Sequence, residues 1–527
     1  MKPIRLVTGF LTVGVWTLLS RVFGFVRDVM IAAFLGAGPV AEAFLIAFSL
    51  PNMFRRFFAE GAFNTAFVPL FSKKLQGGED ARTFAQDAFS ALASFLIAFT
   101  LLAQLAMPWL VLAMASGFAG DVRFDIAVDF GRVAFVYILF ISLAALLSGV
   151  LNATGRFAAA AAAPVLLNAI LIGVIWAAFQ SYSGPEGEVL PGVTGLSLHI
   201  GTWMTWAVPI AGIAQMGLVW WAAKRAGFAM RLRLPRLTPD LKKLAIIALP
   251  AMLAGGVVQI NLLVGRQVAS FFDGAIAWLS YADRLYQLPL GVVGIAIGVV
   301  LLPDLSRRLR AGDDAGGKDA LSRAAEMSMA LTVPSAVALI VIPGALVSVL
   351  FGRGAFTPDD VDATALAVAV YGAGLPAFVL QKVLQPLYFA REDTRTPFRF
   401  ALVAMVVNAA VAVAMAWAIG FIGAAIGTTV AAWAMVWFLW RGTRGMGEVA
   451  RFDTRFRTRL PKIIAASVLM GVALIAFAYL LAPLLVIGGV RWIGLLVLIL
   501  GGMAVYFGAG HVIGAFRLGE FRRALRR

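Results

Sequence analysis

No cysteine occurs among the 527 residues, which excludes disulfides and thiolate metal sites. Histidine is almost as scarce: His199 and His511 are far apart and have no metal-ligand spacing. Charge is thin, at 13% of residues, and lopsided, with 27 carboxylates against 44 lysines and arginines. There is no Walker loop, no HExxH and no G-x-S-x-G, and no polar stretch is long enough to hold a nucleotide. The chain is therefore expected not to be an enzyme, not to hydrolyse ATP, and to need no cofactor.

Apolar residues fill the space: 61% of the chain is hydrophobic and the mean hydropathy is +0.91. Soluble domains run near about 45–50% apolar and about 25% charged, so this is an integral membrane protein. Its apolar segments run on without strand-like alternation, which makes them helices and not barrel strands. The net charge of +17 would suggest nucleic acid in a soluble protein. Here the surplus lies in loops, where topology explains it, and no nucleic-acid partner is expected.

About fourteen segments are long enough to span a bilayer. They centre on residues 7–35, 41–71, 84–107, 124–152, 157–179 and 203–223, then on 244–271, 276–305, 324–350, 365–389, 398–419, 422–440, 463–481 and 492–513. Lys2 and Arg5 precede the first run, but no small-residue cleavage site interrupts it before Leu35, so it reads as a retained helix. One set of loops holds Lys73, Lys74, Arg82, Arg156, the 224–243 stretch, the 307–318 stretch and the arginine-rich tail. The alternate set holds little beyond Arg123, Arg353 and Arg491. The alternation keeps step with the helix count and places both termini in the cytoplasm.

The chain also repeats itself. VPLFSKKL at 68–75 matches LPDLSRRL at 302–309, Val136-Tyr137 matches Val370-Tyr371, and LLNA at 166–169 matches VVNA at 406–409, with offsets from 234 to 240 residues. An even number of helices per repeat inserts both copies the same way. The expected fold is all-α: two six-helix lobes in a parallel pseudo-two-fold repeat around a central cavity, plus two extra C-terminal helices. The boundaries expected are an N-lobe over 1–225, a linker over 226–243, a C-lobe over 244–445, and the added helices and basic tail over 446–527.

Arginines stand deep in these helices. Arg21 is about 21 Å into the first span at 1.5 Å per residue, and Arg55 is at similar depth in the second. A guanidinium at the bilayer centre costs about 3–17 kcal/mol, a cost that marks function by default. Arg21 and Asp28 are seven residues apart on one helix face, Arg27 is turned away from them, and Gly24 between them could bend the helix. Pro51 removes a backbone bond one turn before Arg55 and Arg56, and Glu60 stands four residues after Arg56. Asp283-Arg284 lies in the eighth span, with Gln287 four residues past Asp283. Arg21, Arg27 and Arg55 from one lobe and Arg284 from the other suit a diphosphate, because guanidinium forks grip phosphate oxygens and stay charged. The competing reading is that each arginine snorkels or pairs with Asp28, Glu42, Glu60 or Asp283. Glu42 opens the second span, where it favours the helix dipole or serves as a gate.

SRVFGFVRD (20–28), LPNMFRRFFAEGAFNTAFVP (50–69) and YADRLYQLPLGVVGIAIGVVLLP (281–303) resemble the MurJ/MviN family of bacterial lipid II flippases, within the multidrug/oligosaccharidyl-lipid/polysaccharide exporter superfamily. The resemblance covers essentially the whole chain. It implies a substrate of undecaprenyl-diphosphate carrying GlcNAc–MurNAc-pentapeptide, moved outward across the inner membrane by alternating access for peptidoglycan synthesis and cell shape. It places essential cavity arginines on Arg21, Arg27, Arg55 and Arg284 and a polar cavity position on Ser20. The family often has aspartate where Glu42 stands, and a small polar residue of some relatives is Ala277 here. It further implies a groove for the lipid tail at the two added helices. Asp28, Glu42, Glu60 and Asp283 are the candidates for gating or for a coupling cation or proton, with the membrane potential as the other energy source. Expected partners are lipid II, membrane lipids and the cell-wall synthesis or division machinery, around a monomer. The alternatives are a flippase for another polyprenyl-diphosphate glycan, or a drug or cation antiporter of the superfamily, whose cavity should hold carboxylates.

Overall fold

The computed structural model describes residues 6–56, 64–185, 187–236 and 238–516. Glu60 and the basic tail from 517 onward lie outside the described residues. Contacts divide the chain into two units, Met1–Ala277 and Trp278–Arg527.

The first unit is built from α1 (Leu6–Leu35), α2 (Pro39–Arg55), α3 (Asn64–Gln76), α4 (Ala81–Leu105), α5 (Met107–Met114), α6 (Val122–Ala134), α7 (Tyr137–Ala153), α8 (Ala158–Ser181), α9 (Gly195–Arg225) and α10 (Pro239–Ala269). A small antiparallel hairpin, β1 (Glu188–Leu190) with β2 (Val193–Thr194), fills the loop between α8 and α9. The helix starts are written in the sequence. Pro39 and Pro239 stand where a missing N–H costs nothing, and the Asp80 and Asp121 carboxylates accept the free amides of Thr83 and Arg123. Gly36, at φ 62°, closes α1 in the left-handed region that other residues avoid. α1 packs on α8, α2 on α6, and α9 on both α7 and α8, while α10 packs on α3, α4 and α5. The basic linker after α9 runs extended along this unit: the Gln86 side chain donates to the Arg231 carbonyl and accepts its amide at 2.9 Å.

The second unit carries α11 (Ala275–Arg310, which begins at the boundary), α12 (Asp314–Val341), α13 (Pro343–Leu350), α14 (Pro358–Phe389), α15 (Arg395–Ile419), α16 (Ile422–Gly442), α17 (Thr454–Leu480), α18 (Ala482–Val486) and α19 (Arg491–Ile513). The repeat read from sequence reappears as matched elements: α2, α5 and α6 start 236 residues before α11, α13 and α14. Small residues let helices close without any hydrophobic drive between them. A Cβ added at Gly427 on α16 would sit 2.7 Å from Ala412 Cβ on α15, so only glycine permits that approach. The added helices α17 and α19 pair with each other and α17 docks on α12. Ile463, Met470, Leu474, Leu498 and Tyr506 are buried there, and the Tyr506 hydroxyl donates to the Ala330 carbonyl at 2.6 Å.

Among the described residues, ten helices are long and apolar enough to cross a membrane. The chain is an all-helical, multi-pass membrane protein. The expected span 41–71 corresponds to α2 and α3, with residues 57–63 between them outside the described residues.

Candidate functional site

Arg27 is the most tightly held of the predicted arginines. It is buried on α1, where its Nε and Nη2 donate to Asp28 Oδ1 at 3.0 and 2.6 Å and its Nη1 donates to Asn168 Oδ1 at 2.9 Å. Asn168, on α8, returns a bond from Nδ2 to the Ser20 carbonyl at 3.1 Å. Arg27, Asp28, Ser20 and Asn168 therefore form one clasp between α1 and α8, capped by the Phe48 ring 5.8 Å from the guanidinium. A Cβ at Gly24 would meet Asn168 Nδ2 at 3.4 Å, an ordinary van der Waals contact, so Asn168 packs beside this glycine. Arg21 lies outside the clasp, exposed on the same helix.

Arg55, half-buried in the last turn of α2, lines a cavity of about 300 Å³ formed with α1, α7, α8 and α9. Ser148, Asn152 and Gln215 are its polar neighbours there, and none of the described residues lining this cavity is acidic. Arg56 is exposed. In the second unit, Gln287 donates to Asp283, as their spacing on α11 suggested, and Arg284 beside them is exposed. The Tyr286 ring packs against Tyr371 and Phe378, with centroids 5.0 and 5.3 Å away.

Glu42 stands in the first turn of α2, as expected. It is fully buried, accepts from Arg123 Nη1 at 3.0 Å and from the Ile276 amide at 2.9 Å, and so ties the starts of α2, α6 and α11. Arg123 is itself 4% exposed and also binds Asp121 at 2.6 Å and Asp273 at 2.8 Å, under the Phe118 ring. Asp121 is a loop residue; burial works to raise its pKa, but the bonds from Arg123 outweigh this and hold it below the usual carboxylate range. The second unit has a joint between the matching first turns, with the carboxylate one residue off register. Glu42 is the fourth residue of α2 and Trp278 the fourth of α11; the Trp278 Nε1 donates to Asp360 Oδ1 at 2.7 Å in the first turn of α14.

Arg123 and Asn168 are the residues the sequence did not single out. Arg123 looked like a sparse loop charge, and Asn168 lay inside LLNA, a polar residue in an apolar helix whose repeat partner, Asn408, is also buried. Glu326 is a third. It accepts from Arg323, Arg455 and Arg459 at 2.5, 3.1 and 2.6 Å, fastening α17 to α12. Among the described residues, no group of His, Asp and Glu gathers in a way that could hold a metal ion.

Comparison with known proteins agrees over the whole length. The family model for the lipid II flippase MurJ matches residues 31–495. The chain is 43% identical over 534 residues to a probable lipid II flippase MurJ of Rhizobium meliloti, covering 99% of this chain and 96% of that one. It is 35% identical over 408 residues to a lipid II flippase MurJ of Burkholderia cenocepacia, covering 77% of each. Among solved structures, a lipid II flippase MurJ in an inward closed conformation superposes with a TM-score of 0.77 at 24% identity, over 98% of this chain and 100% of that one. An inward-facing multidrug transporter of the MATE family gives 0.66 at 14% identity, over 81% and 95%. These two likenesses concern the fold.

Proposed function

Because the chain belongs to the MurJ family of lipid II flippases, we propose that it moves undecaprenyl-diphosphate-linked GlcNAc–MurNAc-pentapeptide from the cytoplasmic to the periplasmic leaflet of the bacterial inner membrane, supplying peptidoglycan synthesis. The observation that carries the diphosphate reading is Arg55 on a cavity whose described lining has hydroxyl and amide groups and, among the described residues, no carboxylate. A guanidinium on such a cavity presents the planar fork that matches phosphate oxygens. A drug or cation antiporter would put carboxylates there instead.

In this reading Arg21, Arg55 and Arg284 grip the diphosphate, and Arg27 adds positive charge from within its clasp with Asp28, Asn168 and the Ser20 backbone. The prenyl tail stays in lipid while the two lobes rock about the bound headgroup. Both termini are cytoplasmic, as the basic loops direct. Glu42, Glu60 and Asp283 serve gating or coupling. The membrane potential, worth about 2.3 kcal/mol per charge per 100 mV, favours outward movement of an anion only if the arginines stay behind; a transport rate in sealed vesicles that ignores the potential would rule this drive out. The protein acts as a monomer beside the cell-wall synthesis machinery.

The test is complementation in cells depleted of their own lipid II flippase. Arg21, Arg55 and Arg284 are each replaced by alanine and by lysine, with membrane levels checked. Wild type should rescue and the alanine variants should not; lysine then separates charge from bidentate geometry. Rescue by all the alanine variants would make the arginines structural, and failure of well-expressed wild type would point to another polyprenyl-linked substrate.

A further inference from the structure

A second cavity, of about 750 Å³, lies on the outer flank of the first unit between α1, α8 and α9. Its walls are small and aliphatic, among them Ala162 and Leu218, and its rim carries Trp16, Trp221, Arg156 and Arg225. None of the described lining residues is acidic. Among the described residues, neither Arg156 nor Arg225 has a carboxylate partner; the Arg225 guanidinium lies 3.8 Å from the Trp221 ring centroid. The start of α8 opens onto the same rim, and no side chain caps its first amides. Two guanidiniums and free helix amides make an anion seat. Apolar walls below it exclude a merely aqueous ion. The α8 span is only 28% buried, so the cavity faces the hydrocarbon side, where tryptophans mark the headgroup level.

From this geometry we infer that the cavity binds an anionic phospholipid. The phosphate sits between Arg156, Arg225 and the α8 N-terminus, and an acyl chain lies along Ala162 and Leu218. The occupant comes from the cytoplasmic leaflet, which rests on the orientation proposed above; the site itself does not. Binding joins α1 to the α8–α9 pair from the side opposite the Arg55 cavity.

Native mass spectrometry of the detergent-purified full chain, with phosphatidylglycerol or phosphatidylcholine of identical acyl chains, tests this. Wild type should retain one phosphatidylglycerol about tenfold better than phosphatidylcholine, the ratio expected from charge-assisted contacts. The R156Q/R225Q double variant should lose that preference, and so should A162F, which fills the cavity and keeps both charges. If the double variant does not stay monodisperse, A162F decides alone. Equal retention of the two lipids by wild type, or a preference unchanged in A162F, overturns the proposal. So does displacement of bound phosphatidylglycerol by millimolar glycerol phosphate, which would make the seat a soluble-anion site. Displacement by an equal concentration of undecaprenyl diphosphate would overturn it in favour of a substrate site.

Discussion

Glu42 and Arg123 face each other inside the protein with unequal resources, and this predicts an asymmetry. Arg123 has three carboxylates, from Glu42, Asp121 and Asp273. Glu42 has one cation and backbone amides. In Arg123→Met, a fully buried carboxylate loses its only ion-pair partner among the described residues, a loss that costs about 3–5 kcal/mol in buried pairs. In Glu42→Gln, the arginine keeps Asp121 and a solvent-screened Asp273, so the loss is one charge-assisted bond, about 1.5–3 kcal/mol. The double variant removes both buried charges and should cost less than the sum by about 0.5–3 kcal/mol. Equilibrium unfolding in mixed micelles, followed by helicity and tryptophan emission, measures all three. If Arg123→Met costs no more than Glu42→Gln, or the two changes add, the pair is not the buried, mutually dependent unit described here.

Glu326→Gln should destabilise the chain by about 1.5–3 kcal/mol and speed proteolysis of the 443–453 connection, because a charge-assisted acceptor shared by three guanidiniums is lost; an unchanged cleavage rate would contradict the fastening role. Asn168→Ala should cost about 1–3 kcal/mol in the same unfolding assay, since it frees a buried Arg27 N–H and the Ser20 carbonyl together. Gly427→Leu should cost at least about 1–3 kcal/mol by forcing α15 and α16 apart. Asp80, in the exposed loop before α4, is held below the usual carboxylate range by the Thr83 hydroxyl and amide. Its contribution is full above that range and fades as pH falls through the lowered value, so hydrogen exchange in the first turn of α4 should quicken in acid. Asp80→Asn should remove that acid response.

How far the sequence could be read depended on whether the signal was periodic or spatial. The helical class, the repeat and the charged loops are properties of runs, and runs survive in one dimension. The Asp283–Gln287 bond was legible for the same reason: both residues sit on one helix, four apart. Arg27 shows where that reading stopped. Its neighbour Asp28 was visible, but Asn168 is 141 positions away, and nothing along α1 shows that α8 brings it there. Arg123 was hidden by position, since a charge at a helix start in a loop is ordinary until Glu42 is placed against it. The family blocks named the deep arginines, yet only geometry places Arg55 on a cavity with Ser148, Asn152 and Gln215 and Arg27 in a clasp with Asp28 and Asn168.

The joint between the first turns of α2 and α6 is an ion pair, and its counterpart between α11 and α14 is an indole bonded to a carboxylate. Glutamate faces arginine in one half, tryptophan faces aspartate in the other, and the acid has changed sides. Aligned letter by letter, these positions would count as lost ancestry between the two halves. Placed in space, they do the same work. Identity between the halves therefore understates their kinship most where the structure holds them most alike, and a search for internal duplication in such proteins gains by comparing which helix starts are tied together instead of which residues tie them.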